Sequence, residues 1–116
     1  MDTFRQSAEL LKAIAHPERL RLLIALRDGE ECVCHLTALL GQRQPYVSQQ
    51  LAYLREAGLI SDHKEGLRVY YQILEPRVFE LLDTLGAMIG KKDGLREAHA
   101  HPRTLATCPC PRCAPS

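Results

Sequence analysis

The feature that most restricts the fold of this chain is a change of period at Gly58-Leu59. Before it, apolar residues recur every three or four positions, as on one face of a helix. After it, "LISDHKEGLRVYYQI" has the rhythm of short strands. Phe4, Ala8, Leu11 and Ile14 mark a first helix over about 3–15. His16-Pro17 breaks it, and Pro17 suits the first position of a second helix, about 17–27, with Leu20, Leu23 and Leu26 inward. A short third helix, about 35–40, ends at Gly41, a good left-handed cap. Pro45 opens a fourth, about 45–57, with Val47, Leu51 and Leu54 inward and Gly58 closing it. Two strands over about 59–63 and 68–73 turn at Glu65-Gly66. A fifth helix, about 75–90, carries Val78, Leu82, Leu85 and Ile89 on one face. Three consecutive helices with a tight turn, followed by a hairpin, predict a mainly α fold with a small β-hairpin, the winged helix-turn-helix. The third helix then positions, the fourth recognises, and residues 62–68 form the wing.

The length of 116 residues allows one core, placed here in residues 1–90 as a DNA-binding and dimerisation domain. From Lys91 the apolar rhythm fades, and Pro102, Pro109, Pro111 and Pro115 make 91–116 a tail. No apolar run approaches a membrane span and no signal peptide is seen, so a cytoplasmic protein with reduced thiols is expected. The net charge of +1 gives no overall basic field, so any affinity for nucleic acid depends on where charges are placed.

On the fourth helix the expected outward residues are Gln44, Tyr46, Ser48, Gln49, Gln50 and Tyr53. Gln and Ser can read base edges in a major groove, and Arg43 can meet a phosphate. Lys64 and Arg68 at the wing tip can bracket the backbone, diluted by Asp62 and Glu65. The plainer reading is a solvated helix face. No nucleophile–base pair and no phosphate-cradling glycine loop points to an enzyme.

Residues 17–73 resemble the ArsR/SmtB family of metal-sensing repressors. "HPERLRLLIALRDGE" is similar to that family's second-helix segment, "LGQRQPYVSQQLAYLREAGLI" to its helix-turn-helix, and "DHKEGLRVYYQI" to its wing. The resemblance implies a homodimer built on the first and fifth helices, bound to double-stranded operator DNA and released by metal. Gln50 stands where the family usually has histidine, which leaves the operator sequence open.

All five cysteines fall in "ECVCHL" and "CPCPRC". The first resembles the family's Glu-Leu-Cys-Val-Cys-Asp-Leu motif of arsenic and cadmium/lead sensors. It makes Cys32 and Cys34 candidate ligands for a thiophilic ion: arsenite, antimonite, cadmium, lead or zinc. On a helix, residues i and i+2 point to different sides, so sharing an ion is expected to fray the start of the third helix. Some arsenic sensors place a third cysteine where this chain has Thr37. Cys108, Cys110 and Cys113 either supply the missing sulfur, from the same or the other subunit, or form a separate zinc or redox cluster. His35 is read as a solvated or hydrogen-bonding residue, or less readily as a further ligand. The family's other zinc site, on the dimer helix, lacks its histidines here, and His99 and His101 lie beyond it. Two rivals are a thiol-redox switch of the same fold and a zinc-tail adaptor that binds no DNA.

Overall fold

The computed structural model describes residues 2–91 and Leu95. Its elements run α1 (Thr3–Ile14), α2 (Pro17–Ala25), β1 (Glu31–Cys32), α3 (Val33–Leu40), α4 (Gln44–Glu56), β2 (Ile60–Glu65), β3 (Arg68–Ile73) and α5 (Val78–Met88). Local chemistry sets many of these boundaries. Phe4 N–H donates to Asp2 Oδ1 at 2.9 Å and caps α1. Glu18 N–H donates to His16 Nδ1 at 3.1 Å and caps α2, whose first residue is Pro17. Gly41 ends α3 at φ 64° and Gly66 turns the hairpin at φ 61°, conformations that strain any side chain.

The third helix starts two residues earlier than its apolar spacing predicts, because a strand precedes it. Glu31 pairs with Tyr71 and Cys32 with Tyr70, which adds β1 to the hairpin and gives the antiparallel order β1-β3-β2. Two residues are too few to show alternation in sequence. The hairpin register runs from Ile60 opposite Ile73 to Glu65 opposite Arg68, so β2 continues past the expected end at 63.

Leu22 and Leu23 of α2, Leu36 of α3, Val47, Leu51 and Leu54 of α4, Ile60 of β2 and Leu82 of α5 form one buried cluster. Each such side chain contributes about 1.5–3 kcal/mol on burial. The partly exposed pair Arg27–Asp83, 2.7 Å apart, ties the end of α2 to α5 and adds at most about 1 kcal/mol. Packing therefore orients the helices. The expected inward set on α2 widens: Leu22 through Leu26 are all buried, while Leu20 is half-buried. α2 meets α1, α3 and α4, so little of its surface is left to water.

α1 departs from expectation. Of its stripe only Ile14 is buried; Phe4 is 86% exposed and Leu11 53%. On α5, Val78 and Leu82 are buried but Leu81, Met88 and Ile89 are exposed. Leu11, Ile14, Leu20, Leu81, Leu85 and Met88 line one apolar cleft between these helices. Among the described residues no helix is long and apolar enough to cross a membrane. Leu95 packs against the core, whereas His99, His101, Cys108, Cys110 and Cys113 of the tail lie outside the described residues.

Candidate DNA-reading surface and thiol site

α4 buries Val47, Gln50, Leu51 and Leu54 against the core. Its other side presents Gln44, Gln49 and Tyr53 to solvent, with Ser48 half-buried and Arg43 exposed at the N-cap. Lys64 is exposed and Arg68 half-buried on the two strands flanking the wing turn. Asp62 does not dilute the wing's charge as expected, because Arg55 Nη1 at the end of α4 donates to its carboxylate at 2.8 Å.

Two residues placed outward by the sequence are corrected. Gln50 is buried, and its Oε1 accepts from Arg19 Nε at 2.9 Å. The spacing explains it: positions 47, 50, 51 and 54 are one stripe of a helix. Tyr46 is half-buried and packs against the core. Arg19 itself escaped the sequence reading, since nothing in the apolar spacing marks it. Its guanidinium donates to the carbonyls of Lys12 (3.2 Å) and Ala13 (3.3 Å) at the end of α1. It also lies over the Tyr53 ring, 4.2 Å from the centroid. One side chain of α2 thus joins the last turn of α1 to neighbouring residues on one side of α4.

The thiol pair is also placed differently from expectation. Cys32 is not on the helix. It ends β1 and caps α3 in extended conformation, φ −77° and ψ 155°, while Cys34 is the second helical residue. From there the Cys32 side chain folds back over the first turn. The two sulfurs lie in bonding contact, the arrangement of a disulfide, with Cα atoms 5.3 Å apart. The premise that both cysteines lie on the helix is therefore corrected: Cys32 is its extended N-cap, and the sulfurs meet each other with the helix intact. Cys32 Sγ also accepts from His35 N–H at 3.2 Å. A sulfur is a weak acceptor, so this helix start is lightly held. Cys32 packs on Tyr70 of β3, with Cys34 and Ala38 alongside.

His35 is not solvated. It is fully buried, its Nε2 3.6 Å from Oε2 of the equally buried Glu31. The two side chains face each other where β1 joins α3, so their packing links the strand to the helix. Their i, i+4 spacing is the sequence signal of this contact. Once reduced to thiolates, two sulfurs this close would fit a soft ion as part of its ligand set. Thr37 does not extend that set as an aligned donor, because its hydroxyl donates to Val33 O at 2.7 Å.

Residues 16–62, from the cap of α2 into β2, match the bacterial regulatory protein, arsR family. Over 81 residues the chain is 43% identical to the biofilm growth-associated repressor of Agrobacterium fabrum, covering 70% of this chain and 69% of that protein. The chain belongs to the ArsR family. It is also 43% identical over 77 residues to the arsenic resistance transcriptional regulator ArsR1 of Pseudomonas putida, covering 66% of this chain and 59% of that one. Its fold is similar to the homodimeric winged helix-turn-helix DNA-binding domain of a possible ArsR-family regulator from Mycobacterium bovis. That likeness has a TM-score of 0.67 at 29% identity, over 85% of this chain and 90% of that one. The kinship is with DNA-binding transcriptional regulators, not enzymes.

Proposed function

We propose that this ArsR-family repressor binds operator DNA as a homodimer and releases it when Cys32 and Cys34 take up a thiophilic ion. The ion is arsenite or antimonite, or else cadmium, lead or zinc. One observation carries the reading: the two sulfurs converge on the residue that caps the positioning helix. An ion drawn to Cys32 Sγ competes with the His35 N–H for that sulfur and loosens the start of α3, against which α4 packs. The helix N-terminus favours the thiolate form that such an ion requires. Cys108, Cys110 and Cys113 supply further sulfur. Gln44, Ser48 and Gln49 face base edges, with Tyr53 at their flank, and Arg43, Lys64 and Arg68 meet phosphates. The apolar cleft and exposed leucines of α1 and α5 support the dimer.

A second reading has its own support. Cys32 and Cys34 are already joined as a disulfide here, so reduction to two thiols and reoxidation by peroxide could make the same pair a redox switch. The test is a titration of reduced protein on fluorescent operator DNA without oxygen, with each ion in turn, and a parallel arm with peroxide. The Cys32→Ser, Cys34→Ser variant should keep wild-type DNA affinity and lose the response to ions. If it dissociates at wild-type ion concentrations, the sensor lies elsewhere. Release by peroxide but by no ion makes the pair a redox switch.

A further inference from the structure

The sheet order β1-β3-β2 brings one side chain from before β1 beside two from β2, more than thirty positions further along the chain. Glu30 precedes β1, and His63 and Glu65 lie two apart on β2, so both point to one face of the wing. That is the face on which Cys32 sits opposite Tyr70, and Tyr70 opposite His63. His63 stacks on Tyr70 with ring centroids 5.6 Å apart, which fixes its plane. Its Nε2 is then 3.6 Å from Glu30 Oε2. One donor atom each from Glu30, His63 and Glu65 lie within 4.8 Å of one another.

We propose that Glu30, His63 and Glu65 form a second metal site, distinct from the thiols, for a divalent cation that prefers nitrogen and oxygen, such as manganese or zinc. The chemistry differs from that of the cysteine pair. One imidazole and two carboxylates suit harder or borderline ions, whereas thiolates select soft ones. Donor–metal distances of about 2.0–2.2 Å require the three atoms to close by less than an ångström. Glu65 is exposed, so its carboxylate is free to rotate toward the imidazole that Tyr70 holds in place. Electrostatics favours occupancy. Two carboxylates converge here, offset in part by Arg68, which lies opposite Glu65 on β3. The neighbouring Asp62 and Lys64 point to the other face of β2, and Asp62 is already held by Arg55. A bound cation cancels the repulsion. It also ties the wing strand, across β3, to the segment whose next residues are Glu31 and Cys32. Water fills the remaining positions, so the site exchanges its ion readily.

The experiment is a manganese titration of the 15N-labelled full chain, read by paramagnetic broadening. Manganese avoids thiolates, and the spectrum localises it, so the result does not depend on the cysteines or on DNA. Broadening should begin at the amides of residues 30 and 63–65. In the Glu30→Gln, Glu65→Gln variant and in His63→Ala it should require at least tenfold more manganese. These residues lie at the surface, so the variants should fold, which the unchanged remainder of the spectrum verifies. Broadening that starts elsewhere, or is unaltered by the substitutions, overturns the site.

Discussion

The outer face of α4 and the first turn of α3 belong to the same helix-turn-helix, yet the fold treats their polar groups in opposite ways. Gln44 and Gln49 point into solvent and hold nothing together apart from a long contact between Gln49 and Tyr53. Glu31, Cys32 and His35 are buried, and each is bonded into the junction of β1 with α3. A reading surface must be vacant until DNA arrives. The proposed sensor must be part of the structure it disturbs, or its chemistry stays local. The neighbours Gln49 and Gln50 show the contrast at the scale of one residue, since the first faces out and the second anchors Arg19.

The largest effect that can break this comparison is at His35. His35→Ala removes a fully buried imidazole that faces the Glu31 carboxylate and leaves a cavity there, and stability should fall by about 2–5 kcal/mol in urea denaturation. A loss below about 1 kcal/mol would show that the pair does not fasten the junction. Next is Gln49→Ala, which should weaken operator binding by about 1–3 kcal/mol and leave the denaturation midpoint unchanged. Wild-type affinity for this variant would mean that α4 presents another face to DNA. Gln50→Ala should do the reverse in part, costing about 1 kcal/mol of stability through the lost bond to Arg19. If its effect appeared only in operator affinity, the buried placement of Gln50 would be refuted.

The smallest effect lies outside both regions and serves as a control. The Arg77 side chain, helped by its backbone N–H, holds the Glu75 carboxyl down to about 2. A depressed carboxyl stabilises the fold above its unfolded value and loses that contribution as pH falls toward the folded one. The pair is fully exposed, so the change in stability should be slight and screened by salt. In an NMR titration, Arg77→Ala should raise Glu75 part of the way toward the ordinary carboxylate range, because the backbone N–H of residue 77 remains, without altering DNA affinity.

The order of the helices, the wing and the cysteine pair were legible because each is written in local chemistry. Spacing of three and four marks a helix, Pro17 and Pro45 mark starts, and Gly41 and Gly66 mark backbone that other residues resist. The ArsR resemblance rests on these same segments. Gln50 and His35 could have been placed better, since both share a helical face or an i, i+4 contact with residues already singled out.

The rest was decided only by the tertiary structure. A two-residue strand exists because β3 offers an edge to Glu31 and Cys32, and no pattern within two residues can announce that. The extension of the sheet takes Cys32 off the helix and brings its sulfur back onto Cys34. The same sheet gathers Glu30, His63 and Glu65 from more than thirty positions apart. The apolar face of α1 was visible as a stripe, but its exposure was not, because burial depends on how much partner surface the single chain supplies. Sequence period fixes which way a side chain leaves its own helix or strand; what it meets there is set by elements distant in the chain.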